Sequence, residues 1–421
     1  MKKLLFLILI ILANPVHAET VAIIGAQAWT NSADEPIENA TIIIEDGRIT
    51  AIGPGLSPPS SARIIDAAGR PVTPALNAAR TQIGLVELGS SDDTDDRNIA
   101  SGPLGAAFDV ALAVDPNLLT VQEARAQGVA RAMVFPGSGE GIFAGRGALL
   151  RLAPGFDIVE RPRAAIFMVS GGGAADAAGG SRGAIWTLLR NALDEVRRDD
   201  GLGNAPRDDL LNALDLAALR PVLARTIPLA ITAQREADIR QAMAVARDYR
   251  IRLVIIGGAE AWRVADDLAA AEIPVILDPL DELPANYDMI GTRRDNASLL
   301  HSAGVRTAFS VSGQGIYLSY NVGPALREGA GIAVANGLPY AAALRAITQT
   351  PGQIWGSGGG VLATGENADL VLWDGDPLEP ASAPLHVFIA GQEISRETRQ
   401  TLLRDRYHPA RARDPLPPGY R

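Results

Sequence analysis

The 421-residue chain contains no cysteine. Disulfide bonds, thiolate metal ligands, a cysteine nucleophile and a lipid-modified cysteine are therefore excluded. Lysine is almost as scarce, because it occurs only as Lys2 and Lys3. A mature chain that has lost its first residues has no lysine at all. Schiff-base chemistry and a carbamylated lysine bridging two metal ions are then impossible.

The first eighteen residues, MKKLLFLILIILANPVHA, have the composition of a secretory leader. A basic start precedes an apolar run over 4–12, and Val16 and Ala18 are small residues placed as at a cleavage site. We expect a signal peptide and a periplasmic or secreted protein. An uncleaved anchor is the alternative, although Asn14-Pro15 interrupts the apolar run early.

The charge of the chain limits its partners. The formal net charge is −10 at pH 7, and removal of both lysines with the leader makes it more negative. A strongly acidic protein is repelled by nucleic acid and by anionic membrane surfaces. We therefore expect neither as a partner of the mature chain.

The patterning predicts an α/β protein. Residues 19–70 read as short alternating strands, with turns at Asp46-Gly47 and Gly53-Pro54-Gly55. From about residue 71, apolar runs alternate with amphipathic helices such as 237–250, which is typical of parallel strands buried on both faces. Seven such runs favour a (β/α)8 TIM-like barrel. The runs are PVTPALNA, ARAMVFPG, PRAAIFMVSG, TIPLAITA, IRLVIIGG, EIPVILDP and VRTAFSVSG.

Hairpin-like patterns return after the helix predicted at 340–356, so we expect both chain ends to pair into one composite β-sandwich. The predicted organisation is a signal peptide at 1–18, a composite β-sandwich from 19–72 plus 357–400, a barrel over 73–356 and an irregular tail at 401–421.

Three glycine-containing segments were candidates for special loops. GGGAADAAGG (171–180) reads as a solvated loop or a lid. GSGEGIFAGRG (137–147) lacks the spacing and the lysine of a phosphate loop and reads as a tight turn. Ser312-Gly313-Gln314-Gly315 lacks the G-x-S-x-G order of a serine hydrolase.

The segments ALRAITQTPGQIWG and GGVLATGENADLVLWDGDPL resemble the closing signature of the amidohydrolase superfamily, which includes imidazolonepropionase-like and prolidase-like metal-dependent hydrolases. IIIEDGRITAIGPG resembles the matching N-terminal hairpin. With further matching segments, the resemblance extends over nearly all of the mature chain. It implies a (β/α)8 barrel with a composite β-sandwich, and in active members a divalent metal that serves hydrolysis of carbon–nitrogen bonds.

The same resemblance indicates that the metal ligands are missing. Active relatives end strand 1 in a pattern like PGLIDAHTHxGL, whose two histidines bind metal, whereas this chain has PALNAARTQIGL with Arg80 and Gln82 at those positions. The strand 5 histidine falls at Thr232, and the strand 6 histidine near Gly257 or Gly258. The strand 8 aspartate falls at Ser312.

Other residues offer few replacements for the missing ligands. None of the histidines of the mature chain is predicted at the carboxyl end of a barrel strand, and we expect structural or surface roles for His301, His386 and His408. Carboxylates alone bind Mg²⁺ or Ca²⁺ in some proteins, and that possibility stays open. The candidates are Glu87, Glu140, Glu236, Glu260, Asp278 and Asp281, while Asp92, Asp93, Asp95 and Asp96 read as a solvated acidic loop.

Arg80 places a permanent cation where the resemblance implies a metal ion. One hypothesis is an internal salt bridge that fills the former metal cavity, with Glu87, Asp278 or Glu260 as the partner. The other is a polar pocket that holds a carboxylate ligand, formed by Arg80, Gln82, Thr232 and Ser312. Arg146, Arg182 and Arg235 are either further residues of the barrel mouth or ordinary ion-pair residues.

These patterns leave three hypotheses for function. The first is an exported, degenerate amidohydrolase homologue without metal, catalytic residue or cofactor, which binds a small ligand or supports an active paralogue. The second is an active hydrolase of non-peptide or dipeptide amide bonds with an unconventional centre. The third is a purely structural partner subunit of an intact amidohydrolase.

Overall fold

The computed structural model describes residues 19–87, 91–99, 101–137, 141–198, 210–281, 283–311 and 320–408. The predicted signal peptide lies outside the described residues. Within the described part, no helix combines the length and the apolar character needed to cross a membrane.

One sheet joins the two ends of the chain. Its strands are β1 (Val21–Ala28), β2 (Ile37–Glu45), β3 (Arg48–Pro54), β4 (Arg63–Asp66), β5 (Pro71–Pro74), β14 (Leu370–Trp373), β15 (Pro384–Ile389) and β16 (Gln392–Glu393). They lie in the order β16-β15-β14-β5-β1-β2-β3, with β4 also paired to β1. The antiparallel pairing of β5 with β14 brings the early and late parts of the chain together. The predicted composite β domain is therefore present.

Local sequence explains the hairpin between β2 and β3. Asp46 and Gly47 both have positive φ, 49° and 79°, as a two-residue turn with the right twist requires. A Cβ on Gly47 would also lie 2.8 Å from the Ala390 carbonyl, so this position has no room for a side chain.

The second sheet forms the barrel. Its strands are β6 (Leu76–Thr81), β7 (Val129–Val134), β8 (Phe143–Arg151), β9 (Val159–Val169), β10 (Leu229–Ala233), β11 (Leu253–Gly257), β12 (Val275–Leu277) and β13 (Thr307–Phe309). They are neighbours in chain order, and contacts between β13 and β6 nearly close the sheet. The strands are mostly buried, as expected of a barrel covered by helices, except for residues 160–163 near the start of β9.

Strand β8 departs from the prediction. It runs antiparallel to β7 and β9, so a hairpin replaces one βαβ crossover, and residues 143–147 are strand where a tight turn was predicted. The strand was not predicted because the glycines at 145 and 147 are more typical of a turn. A Cβ on Gly145 would lie 2.7 Å from the Phe108 carbonyl, and one on Gly147 would lie 2.7 Å from the Val134 carbonyl, so close packing of the main chain needs both glycines.

Helices connect and cover the barrel strands. They are α1 (Leu119–Ala126), α2 (Gly172–Ala175), α3 (Arg182–Arg198), α4 (Ala213–Leu223), α5 (Glu236–Tyr249), α6 (Ala265–Ala270), α7 (Asn296–Ser302), α8 (Val322–Ala335), α9 (Tyr340–Thr348), α10 (Thr350–Trp355) and α11 (Arg399–Tyr407). In α5 the buried residues Ile239, Ala242, Val245 and Ala246 recur at helical spacing and form the face that packs on β10 and β11.

Two predicted boundaries change. The run PVTPALNA is not one strand, because β5 belongs to the first sheet and β6 to the barrel, so the barrel begins after Ala75 rather than at 73. The predicted irregular tail includes most of α11. There Thr398 and Thr401 form a reciprocal capping box that satisfies free main-chain donors and starts the helix. Residues 409–421 lie outside the described part.

Candidate ligand site at the carboxyl ends of the barrel strands

Arg80 lies at the carboxyl end of β6 and stacks on an aromatic ring. Its Cζ is 3.8 Å from the centroid of Phe135, which follows β7. Its Nε is buried and has no hydrogen-bond partner among the described residues. Burial lowers the pKa of Arg80 to about 10, and the negative charges of Asp278 and Asp281 oppose that shift. The guanidinium therefore stays protonated at neutral pH in a setting that penalises its charge.

Of the three salt-bridge partners predicted for Arg80, Asp278 is one whose charge acts on it. Glu260 has another role, because its Oε2 accepts a hydrogen bond from the main-chain N–H of Glu236 at 2.8 Å, at the start of α5. The Glu87 carbonyl accepts a hydrogen bond from the Tyr320 hydroxyl. Asp281 was predicted only as a metal candidate and acts instead as the second counter-charge.

Gln82 belongs to a polar network. Its side chain is 4% exposed, and Oε1 accepts a hydrogen bond from Arg97 Nη1 at 2.8 Å. Arg97 is in turn paired with Asp95 through two hydrogen bonds, of which Nε to Oδ1 is 2.7 Å. The hydrogen bond from Arg97, opposed by burial, lowers the pKa of Asp95. Asp95 is thus not part of a merely solvated acidic loop, as the sequence suggested, but fixes Gln82 through Arg97.

The strand 5 and strand 6 positions carry no imidazole. Thr232 lies on β10, half-buried, and its carbonyl accepts hydrogen bonds from the N–H of Ser170 at 2.9 Å and from its Oγ at 2.8 Å. Gly257 ends β11 with φ of 88°, and a Cβ there would lie 2.5 Å from Gln234 Nε2. Gln234 fills this space and accepts a hydrogen bond from the N–H of Ala259 at 3.0 Å. A side chain at position 257 would therefore displace the end of the Gln234 side chain and would strain the main chain at this φ.

Arg80 on β6, Gln82 directly after β6 and Thr232 on β10 thus lie at the same end of the barrel. Strands β6 and β10 are not neighbours in the sheet. Ser312, the fourth predicted pocket residue, and Gln314 lie outside the described residues, as does Glu140. Counted from β6, the strands β10, β11 and β13 are the fifth, sixth and eighth of the barrel sheet, provided β8 is included. The strand numbers used to place the former ligands are therefore consistent with the observed topology.

Comparison with known proteins settles the architecture. An amidohydrolase from Thermotoga maritima MSB8 superposes with a TM-score of 0.78 at 23% identity, covering 90% of this chain and 100% of that one. The chain has the amidohydrolase fold. A prolidase crystallised with N-methylphosphonate-L-proline gives a TM-score of 0.55 at 16% identity, covering 90% of this chain and all of that one. An enamidase described as an amidohydrolase superfamily member gives 0.52 at 14%, covering 90% and 97%.

Sequence comparison adds a short match. A segment of 57 residues is 46% identical to the amidohydrolase tasK of Hapsidospora irregularis, which is 13% of this chain and 6% of that protein. No protein-family model matches the chain. The resemblance to amidohydrolases inferred from the closing signature is confirmed by the fold and by this segment.

The described residues at the positions where the resemblance implies metal ligands do not fit a divalent metal ion. A guanidinium, a threonine and a glycine cannot supply the imidazole donors that zinc prefers. Within the described ranges, no three His, Asp or Glu side chains form a group that could hold an ion. His301 is exposed on α7, His386 Nδ1 lies 2.5 Å from Glu393 in the first sheet, and His408 follows α11.

The carboxylate of Asp288, which carries no signal in the sequence, contacts the start of the segment 171–180 in this amidohydrolase-like barrel. Asp288 is buried and accepts hydrogen bonds from the N–H of Gly172 at 2.5 Å and from Arg182 Nη2 at 2.6 Å, while Arg235 Nε lies 3.5 Å away. Burial raises its pKa, but these hydrogen bonds and cations outweigh burial and lower it. A Cβ on Gly171 would lie 2.5 Å from Asp288 Oδ2. The glycines therefore permit the close approach of this carboxylate.

This contact corrects the expectation for the segment 171–180 and agrees with the ion-pair alternative for Arg182 and Arg235. The segment 171–180 is not a solvated loop, because it forms α2 and a following turn, with Ala174, Ala175 and Ala178 buried. Arg182 and Arg235 are ion-pair residues of Asp288. Arg146 lies on β8, where burial and then the nearby Arg163 lower its pKa. We refer to the contact of Asp288 with the N–H of Gly172 and with Arg182 as the Asp288 latch.

Proposed function

We propose that this amidohydrolase-fold protein binds a small carboxylate ligand at the carboxyl ends of its barrel strands and does not carry out metal-dependent hydrolysis. The observation that carries the proposal is the guanidinium of Arg80. It is buried on Phe135 with an Nε that lacks a partner, at a position where relatives are expected to hold metal. A fixed cation at this point repels a divalent ion and attracts a carboxylate.

Physical chemistry favours a bound anion over an empty site. A buried cation without full compensation is costly, and a carboxylate that accepts two hydrogen bonds from one guanidinium is its strongest common partner. Gln82 is held rigidly by Arg97, and a rigid polar neighbour favours selective binding.

The hydrolase with an unconventional centre ranks second. Without a Lewis acid to lower its pKa, water stays too weak an acid to ionise at neutral pH, so another group must activate it. Glu260 is engaged by the N–H of Glu236, and Asp278 Oδ1 accepts a hydrogen bond from the N–H of Leu280 at 2.9 Å. Both carboxylates already accept hydrogen bonds from main-chain N–H groups, which makes either one a poor candidate for activating water.

The cellular setting is part of the proposal. The leader-like residues 1–18 support export to the periplasm or outside the cell, after which the mature chain binds its ligand or assists an intact amidohydrolase paralogue. Mass spectrometry of the exported protein would test this, since a mature chain that begins at Glu19 is expected.

The decisive experiment uses the purified mature chain. We expect substoichiometric metal by elemental analysis and no turnover of a dipeptide and cyclic-amide panel. By calorimetry, we expect binding of at least one ligand from a panel of N-acetylated amino acids and short dicarboxylates. Arg80→Met should abolish that binding. Arg263→Met is the matched control, because Arg263 also stacks on an aromatic ring, Trp262, but is 42% exposed.

Two results would overturn the proposal. One is stoichiometric zinc together with turnover. The other is ligand binding that survives Arg80→Met unchanged. If the wild-type chain did hydrolyse an amide without bound zinc, and Asp278→Asn abolished that turnover while leaving folding intact, the unconventional hydrolase would be favoured instead.

A further inference from the structure

The opposite end of the barrel carries cations that the proposed function does not use. Arg252 immediately precedes β11, Arg306 immediately precedes β13, and Arg225 lies in the turn between α4 and β10. Because β10 to β13 are parallel neighbours, their amino ends lie on one face. The three arginines line a cavity of about 290 Å³ together with Glu272 and Gln353. We call it the amino-end cavity.

The three arginines are exposed, and they line the cavity together with one acidic residue, Glu272. Within the described part of the chain, none of them takes part in an ion pair. Arg306 Nη2 donates to the main-chain carbonyl of Glu272 at 3.3 Å, which does not neutralise it.

A fourth cation adds to the local positive field. Arg161 on β9 donates to the carbonyl of Trp355, next to the Gln353 and Ile354 that line the cavity. Burial lowers the pKa of Arg161, the nearby Glu160 opposes this, and the positive charge of Arg252 lowers it further. The two guanidinium groups are therefore close enough to disfavour each other, and a bound anion would relieve that repulsion.

We propose that the amino-end cavity binds a small multivalent oxyanion, a phosphate or a polycarboxylate, through Arg225, Arg252 and Arg306. Guanidinium groups match the geometry of such anions through paired N–H donors. The overall negative charge of the chain repels anions elsewhere, so the cluster makes binding local. The site lies at the other end of the barrel from Arg80 and does not depend on the proposed function.

The test measures the thermal unfolding midpoint and calorimetric binding of the full mature chain with inorganic phosphate and, separately, with citrate. Sodium chloride at matched ionic strength is the reference. We expect at least one anion to raise the midpoint and to bind with 1:1 stoichiometry. Arg252→Gln combined with Arg306→Gln should weaken binding at least tenfold. Arg404→Gln should not, because Arg404 is an exposed arginine of α11 paired with Asp405.

The outcomes separate clearly. A response to phosphate alone or to citrate alone supports the site and identifies the oxyanion. No response beyond that of chloride, or an equal response in the double variant, overturns it. If the double variant does not fold, Arg225→Gln alone provides the test and should weaken binding at least threefold. Arg80→Met should keep the full response, which separates this site from the carboxylate pocket.

Discussion

Arg80 makes two opposite contributions to stability: its guanidinium stacks favourably on the Phe135 ring, and the burial of its charge is unfavourable. We expect Arg80→Met to raise the free energy of unfolding by about 1 kcal/mol, because methionine keeps the contact with Phe135 and removes the desolvation of the cation. Urea denaturation at pH 7 measures the change. Arg80→Lys is the control, since it keeps the charge but loses the planar stacking, and it should not be stabilising.

The pH dependence of this effect has a definite sign. Burial lowers the pKa of folded Arg80 to about 10, below its unfolded value, so its charge destabilises the fold at neutral pH, and this penalty is relieved progressively as pH rises from 10 toward the unfolded pKa. The stabilities of wild type and Arg80→Met should therefore begin to converge as pH rises above 10. A methionine variant that is less stable at pH 7 would instead mean that Asp278 and Asp281 compensate the charge fully.

Arg327 is a second buried cation, and here main-chain carbonyls accept hydrogen bonds from its terminal nitrogens, although its Nε has no partner among the described residues. It is 3% exposed on α8, donates to the carbonyls of Pro377, Glu379 and Ser382, and lies over the Trp373 ring. We expect Arg327→Met to lower the free energy of unfolding by about 3 kcal/mol, because buried acceptors lose their donors.

The control for Arg327 is an exposed arginine of the same region. Arg396 also donates to a main-chain carbonyl, that of Pro384, but from solvent. Arg396→Met should cost less than about 1 kcal/mol in the same urea titration. Equal losses for the two variants would contradict the role assigned to buried donors.

At the scale of elements, two glycines at the start of α2 differ in the space available for a side chain. Gly171 has φ of 90° and a Cβ there would lie 2.5 Å from Asp288 Oδ2, whereas a Cβ on Gly173 would meet nothing within 4 Å. We expect Gly171→Ala to lower the free energy of unfolding by about 2 kcal/mol through strain and loss of the latch. Gly173→Ala should be neutral or slightly stabilising. Paired urea titrations compare them, and equal effects would show that the approach of Asp288 is unimportant.

The Asp288 latch should open in acid. The groups that face Asp288 are the N–H of Gly172, Arg182 and Arg235, with Asp238 and Glu260 acting on Arg235. Since they lower the pKa of Asp288 in the folded state, its stabilisation is present at neutral pH and is lost as pH falls through that lowered value, below about 4. Hydrogen exchange of 171–178 should then accelerate relative to β10.

Asp288→Asn provides the corresponding test at neutral pH. We expect 171–178 to exchange faster in this variant at pH 7 while the barrel strands stay protected. An unchanged exchange rate would mean that the buried alanines of α2, and not the latch, hold the segment in place.

Periodicity was sufficient to predict most elements and insufficient for the site. Each of the seven apolar runs contains a barrel strand, because buried parallel strands are uniformly apolar. Strand β8 was missed, since glycines at 145 and 147 serve packing rather than a turn. Helix α11 was missed although Thr398 marks its start. Asp288 and Gln234 carry no local signal, because their roles depend on contacts with segments distant in the chain.

At the scale of the whole molecule, one carboxylate connects the two sheets. Asp369, just before β14, is 8% exposed, and its Oδ1 accepts a hydrogen bond from the N–H of Ala390 at 2.6 Å. Arg151 of β8 lies 3.5 Å from Oδ1, and Arg131 of β7 lies 3.8 Å from Oδ2. Loss of this group should therefore affect the terminal sheet and the barrel together.

We expect Asp369→Ala to lower the free energy of unfolding by about 3 kcal/mol, because it removes a counter-charge from Arg151 and Arg131, although Arg131 keeps Glu160, and because the N–H of Ala390 loses its acceptor. Peptides from β14 and β10 should still lose hydrogen-exchange protection at one common urea concentration, since β5 and β6 join the sheets without a linker. Asp374→Ala is the control, because Asp374 accepts one exposed hydrogen bond from Ala383, and it should cost under about 1 kcal/mol. Loss of protection in β14 at a urea concentration where β10 is still protected would contradict this expectation. The two sheets would then be separate folding units, and the amidohydrolase-like barrel would be stable without the sheet formed by the chain ends.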